Sequence, residues 1–146
     1  MQIKYTAHGT SIDGGRTGSG FTDDGKVSVK LSVPRPMGGD GGPGTNPEQL
    51  FAVGYSACFL GSLKTAAQRM DRKLPQGAVV SANVSFADRE DGVGFTIVPE
   101  LTVAIPGWSR IDVEEAMRIA HDVCPYSNLI RFAHEVKLTA GELAAA

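Results

Sequence analysis

At 146 residues, 42% hydrophobic and 21% charged, the chain has the composition of a soluble globular protein, and one domain over residues 1–146 can bury about two-thirds of its unfolded surface. A formal net charge of −2, with no cluster of Lys and Arg, removes the electrostatic case for nucleic acid or an anionic membrane as partner. Two cysteines are too few for a secreted disulfide scaffold and MQIKYTAHG carries no apolar signal core, so the expectation is a cytoplasmic protein with reduced thiols.

Residues 3–10 and 27–33 read as strands. In VSVKLSV, Val27, Val29, Leu31 and Val33 share one face, and Ser28, Lys30 and Ser32 the other. Between the two strands runs a Gly-rich loop, SIDGGRTGSG, with Arg16 as its single cation. The next stretch, PRPMGGDGGPGTNP (residues 34–47), is too rich in Gly and Pro for a regular element. A helix then starts sharply: Asn46 suits the N-cap, Pro47 the first helical position, and Gln49 stands where a capping box places its amide. The pattern predicts a helix to about Arg72, roughly 36 Å long at 1.5 Å per residue.

The first half of that helix, LFAVGYSACFLGSL, is apolar nearly all round, which assigns it to the interior. Ala52, Gly54, Ala57 and Gly61 would admit a second backbone at close range. The uncharged stretch from Leu50 to Leu63 is too short to span a bilayer. Residues 78–88 and 93–105 read as a hairpin across DREDG, followed by a break at IPGW. Asp112 to Cys124 reads as an amphipathic helix with Val113, Ala116, Met117, Ala120 and Cys124 on one face, stopped by Pro125. HEVKLT (residues 134–139) reads as a last strand. The order ββαββαβ belongs to the α+β class, with sheet packed around or against one central helix.

Cys58 and Cys124 thus fall on the apolar faces of two helices, and two readings stand open. They are small buried hydrophobes, or a nucleophilic thiol and its resolving partner. A helix C-terminus carries about half a negative charge, which disfavours a thiolate at Cys124. Cys58, in mid-helix, answers instead to burial, which raises its pKa, and to any nearby cation, which lowers it. Arg16 is the candidate cation, and Glu48, otherwise only a favourable charge at a helix N-terminus, is the candidate carboxylate to grip it. Ten residues of helix put about 15 Å between Glu48 and Cys58, so a single straight chain does not bring both to one substrate. A homodimer with sites at its interface would.

Other patterns are weaker. GYSAC matches only the opening of a serine nucleophile elbow, and GGDGGPGT lacks the Lys-Ser/Thr of a phosphate loop. His121 and Cys124 share a helix face, but with only His8 and His134 besides, a closed metal site is poorly supplied.

Two longer segments carry a family likeness. GGPGTNPEQLFAVGYSACF (residues 41–59) and HDVCPYSN (residues 121–128) resemble the organic hydroperoxide resistance proteins of the OsmC/Ohr superfamily, as does the GGRTG loop around Arg16. The resemblance covers nearly the whole chain, and LIRFAHEVKLTAGELAAA is the main departure. It implies an OsmC-like fold, with antiparallel sheets wrapped around central helices in an intertwined homodimer. It also implies a peroxidase in which Cys58 attacks an organic hydroperoxide, Cys124 resolves the sulfenic acid as a disulfide, Arg16 activates the thiol and Glu48 holds Arg16. The implied reductant is dihydrolipoamide on a lipoylated protein, with no metal, flavin or haem. Pro34, Pro36, Met37 and Phe51, in the loop and first helical turn beside Glu48, are the expected apolar lining. The alternative is a redox sensor or an apolar-ligand carrier that uses the same thiols without turnover.

Overall fold

The glycine loop around Arg16 closes a hairpin. In the computed structural model, which describes residues 1–142, β1 (Gly9–Ile12), β2 (Ser19–Thr22) and β3 (Ser28–Lys30) form an antiparallel sheet in that order. The strand expected over residues 3–10 begins only at Gly9. Gly9 pairs with Thr22, the last residue of β2, so the chain before it runs past the end of its ladder. The second expected strand is also shortened, for another reason. After Lys30, the chain pairs in parallel with the approach to the next helix, Leu31 opposite Thr45, with Ser32 N–H donating to the Thr45 carbonyl at 2.9 Å.

The Gly/Pro stretch is not wholly irregular. Arg35–Met37 makes a 3₁₀ turn that Gly38 ends in the left-handed region, at φ 84°. Helix α1 (Pro47–Arg69) follows, and the Gln49 N–H donates to Asn46 Oδ1 at 2.8 Å. Only half of the capping box forms, because the Gln49 amide oxygen takes the Thr45 hydroxyl instead. The helix stops short of Arg72. Asp71 enters the left-handed region at φ 54°, and the Arg72 N–H turns back to the Ala67 carbonyl at 2.8 Å.

Tyr55, Phe59, Leu63, Ala66 and Ala67 are the buried apolar positions of α1. The expectation that its first half lies wholly inside is corrected: Leu50 is 41% and Val53 70% exposed in the single chain. Strands β4 (Val79–Asp88) and β5 (Phe95–Ala104) pair as a hairpin. Helix α2 (Arg110–Val123) starts earlier than the periodicity indicates, because Ser109 caps it by accepting the Asp112 N–H. Past Cys124 the chain forms a further helix, α3 (Pro125–Arg131), where the sequence pattern indicated only a stop. Residues 134–139, expected as a strand, have no ladder partner among the described residues and adopt no regular structure.

The chain divides into two compact units, Met1–Ser56 with Ser81–Thr102 and Ala57–Val80 with Val103–Ala146. Helix α1 and strands β4 and β5 each contribute residues to both. Among the described residues no buried polar side-chain atom lacks a hydrogen-bond partner. Removing the α1 cap by Asn46→Ala should lower unfolding free energy by about 1 kcal/mol, measured as a shift of the denaturant midpoint at unchanged slope.

Candidate active site

In the first unit, Arg16 lies on a 3₁₀ turn (Gly15–Thr17) between β1 and β2. Gly14, at φ 96°, supplies the left-handed entry to that turn. Gly18 supplies the exit, where an added Cβ would stand 2.0 Å from the Ile12 carbonyl oxygen. The turn aims the Arg16 guanidinium at Glu48 in the first turn of α1. The pair is bidentate, Nη1 to Oε2 at 2.9 Å and Nη2 to Oε1 at 2.6 Å. The Glu48 side chain is 11% exposed and that of Arg16 37%. The Arg16 hydrogen bond holds the Glu48 carboxyl below its ordinary pKa against the opposing effect of burial, and Glu48 raises the Arg16 pKa in return. The guanidinium also lies 5.2 Å from the centre of the Phe86 ring, which itself stacks on Phe95 at 4.6 Å.

Beside this pair opens a cleft of about 570 Å³, lined by Pro34, Pro36, Met37, Glu48, Ala52 and Phe86 among others. Phe51, grouped with Pro34, Pro36 and Met37 from the sequence, is not part of that lining. Helical rotation accounts for this: Ala52 follows Glu48 by four residues and stays on its face, whereas Phe51 turns toward Tyr55 and meets it edge-on at 5.9 Å.

In the second unit, the two cysteines meet. Cys58 Sγ and Cys124 Sγ are 3.5 Å apart, both as free thiols, with Cys124 fully buried and Cys58 partly so. Their electrostatics follow the sequence-based expectation at Cys58 and depart from it at Cys124. Burial raises the Cys58 pKa, only partly offset by a hydrogen bond from the Tyr126 N–H. Burial pushes Cys124 up as well, but the Ser127 N–H, the Ser127 hydroxyl, the Cys58 thiol and the Tyr126 N–H together bring it below its ordinary value. The C-terminal dipole of α2 does not act alone there, because Cys124 ends α2 and is also the N-cap position of α3.

The structure thus joins Arg16 to Glu48 and Cys58 to Cys124. It adds Phe86, under Arg16, and Ser127, which is fully buried, to the side chains that matter. Ser127 had a readable signal: Cys-Pro-Tyr-Ser is a cap residue, a first-turn proline and a polar residue three positions on. Phe86 had none, since the partner of Arg16 across the hairpin is a tertiary fact. Among the described residues no group of three or more His, Cys, Asp or Glu side chains is placed to hold a metal ion.

Residues 38–139 match the family described as OsmC-like protein. The organic hydroperoxide resistance protein of Xanthomonas axonopodis pv. citri is 44% identical over 138 residues, covering 94% of this chain and 95% of that protein. Among solved structures, an organic hydroperoxide resistance protein OsmC from Legionella pneumophila superposes with a TM-score of 0.81 at 36% identity, over 90% of this chain and 93% of the other. The organic hydroperoxide resistance protein OhrB of Bacillus subtilis gives 0.79 at 36% identity, covering 88% and 93%.

The Arg16–Glu48 pair makes a pH prediction. The Glu48 pKa is depressed in the folded chain, so the pair's contribution to stability is complete above the unfolded carboxyl pKa of about 4.3 and is lost as pH falls through the lower folded value. Melting curves of the wild type and Glu48→Gln should therefore differ near neutrality and converge in acid.

Proposed function

Because the chain belongs to the OsmC/Ohr family, we propose that it is a cysteine-based peroxidase that reduces organic hydroperoxides to alcohols. The observation that carries this reading is the approach of two free thiols to 3.5 Å, close enough to become a disulfide of about 2.05 Å with little movement. A Cys58 thiolate attacks the distal peroxide oxygen, the O–O bond breaks, and the alkoxide takes up a proton and leaves as alcohol. The sulfur keeps the distal oxygen as a sulfenic acid. Cys124 then attacks that sulfur; the S–S bond forms, the S–O bond breaks, and the hydroxide leaves as water after taking up a proton. An external dithiol must reopen the bridge. Dihydrolipoamide on a lipoylated protein is the proposed donor, so sulfur alone carries the electrons, and reduced resting thiols fit a cytoplasmic setting.

Cys58, its pKa raised by burial, needs a cation to ionise. Arg16, oriented by Glu48, is the proposed source, supplied by a second copy in an intertwined homodimer. Three observations support that assembly. Helix α1 runs unbroken from Pro47 through Cys58, so about 15 Å of axis lies between Glu48 and Cys58. Leu50 and Val53 on α1, and Val93 and Phe95 on the hairpin, are exposed apolar side chains. Residues 3–8 and 134–139 alternate like strands yet have no ladder among the described residues. By length and composition α1 also passes as a membrane span. Its fully or nearly buried Tyr55, Phe59 and Leu63, and the ion pair in its first turn, favour a protein partner over lipid. The cleft beside Glu48, with Pro34, Pro36 and Met37, offers apolar surface to the organic group of the substrate.

A sensor or carrier using the same thiols would not turn over. With dihydrolipoamide and an alkyl hydroperoxide, Cys58→Ser should consume no peroxide above background; continued turnover would refute the assignment. Cys124→Ser should react with one equivalent and stop, accumulating sulfenic or over-oxidised Cys58 in intact-mass spectra. Arg16→Ala should slow the first step about tenfold or more at neutral pH and shift its pH profile upward. The dimer is checked by light scattering, where a monomer mass would overturn that part of the reading.

A further inference from the structure

Phe86 stands where the ion pair and the cleft meet. It lies on the strand face of β4 that it shares with Ala82 and Val84, and all three line the cleft beside Glu48. A phenylalanine on the inward face of a hairpin is ordinarily core filling, but Phe86 is only partly buried. Its ring carries the Arg16 guanidinium 5.2 Å from its centre and stacks on Phe95 of β5 at 4.6 Å, with 28° between the planes. The guanidinium is thus within the roughly 6 Å at which a ring face attracts a cation. Arg16, Glu48 and Phe86 all belong to one compact unit of the chain. Glu48 alone does not fix the guanidinium. Its carboxylate takes one N–H from each terminal nitrogen, so the fork can still hinge about the line of the two carboxylate oxygens. A ring beneath the guanidinium opposes that motion. The Arg16 side chain is 37% exposed, so water weakens both contacts.

We infer that Phe86 is a positioning residue for the peroxide-cleaving step, and that it ties the placement of Arg16 to the organic group of the substrate. The inference deepens the peroxidase reading and rests on it. An apolar group in the cleft, packed among Pro34, Met37 and the Phe86 ring, displaces water from the ring and from the guanidinium it carries. The attraction between cation and ring grows as water leaves, from the weak value of an exposed pair toward the stronger value of a desolvated one. Arg16 is then held where the thiolate needs its charge. Hydrogen peroxide has no organic group and leaves the ring wet, so it gains nothing from Phe86. The bonds made and broken are those of the first step. The S–O bond forms at Cys58 and the O–O bond breaks; the sulfur gives two electrons, and the alkoxide takes up a proton and leaves as alcohol. Phe86 exchanges no atom or electron in that step.

Phe86→Leu keeps an apolar wall and removes the ring, whereas Phe86→Tyr keeps the ring. With an alkyl hydroperoxide, Phe86→Leu should lower kcat/KM about tenfold and move its pH profile upward, while hydrogen peroxide should lose less than about twofold. Phe86→Tyr should stay within about twofold of the wild type on both peroxides. An equal loss on both, or no loss on the alkyl hydroperoxide, would overturn the inference. A double-mutant cycle separates a positioning role from a cleft wall. In an Arg16→Ala background, Phe86→Leu should change the alkyl hydroperoxide rate less than about twofold, and a further loss of about tenfold would overturn the inference. A ring-fluorinated phenylalanine at position 86 keeps the shape and drains charge from the ring face, so the fold is spared. The alkyl hydroperoxide rate should fall as fluorine is added, and a rate indifferent to fluorine would refute a cation held by the ring. The last measurement needs no turnover. Filling the cleft with the product alcohol should slow solvent exchange of the Arg16 side-chain N–H groups about tenfold in the wild type, read by NMR, and leave it unchanged in Phe86→Leu. Exchange indifferent to the alcohol in the wild type would overturn the inference. Absence of any peroxide reaction in a wild type that shows this slowing would overturn the peroxidase reading instead.

Discussion

One continuous helix imposes the constraint around which the other elements are arranged. Helix α1 must present a carboxylate in its first turn and a thiol near its middle, and between Glu48 and Cys58 it has no proline or break with which to reconcile the two. At its N-terminus the solution is external support. The parallel bridge from Leu31 to Thr45 delivers Asn46 to its capping position. The β1–β2 hairpin delivers Arg16 to Glu48. The carboxylate there benefits from the positive end of the helix and from two guanidinium hydrogen bonds, so its charge is held more firmly than burial alone would allow.

At the thiol the problem is the opposite one. Cys58 lies where neither helix end reaches it, and burial works against its ionisation. The chain responds by bringing up a second helix boundary. Pro125 ends α2 and starts α3 at a single residue, and that residue is Cys124. At that junction the negative end of α2 is opposed by the positive end of α3.

What could be read from the sequence follows from how local each signal is. The cap at Asn46, the alternation of β4 and β5 and the apolar face of α2 depend on neighbours within a few residues, and each appears where its pattern indicates. The β1 boundary depends on where β2 stops, and the β3 boundary on a competing partner at Thr45, so neither is legible in its own segment. The α2 dipole argument at Cys124 is incomplete because it takes Pro125 only as a terminator. A proline that cannot continue one helix is well suited to begin the next. The Cys58–Cys124 approach and the Arg16–Glu48 grip span 66 and 32 residues, and periodicity says nothing at that range. The motif likeness pointed to both.

The shared cap at Cys124 also bears on redox poise. A group that favours a thiolate lowers the free energy of the reduced form and does much less for a neutral disulfide sulfur, so the start of α3 at Cys124 works against the burial that keeps Cys58 protonated. A structural disulfide at this junction would need a deep, unreactive potential; a disulfide formed once per turnover needs a shallow one. Under the proposed cycle, a bond between Cys58 and Cys124 would have to be a temporary one.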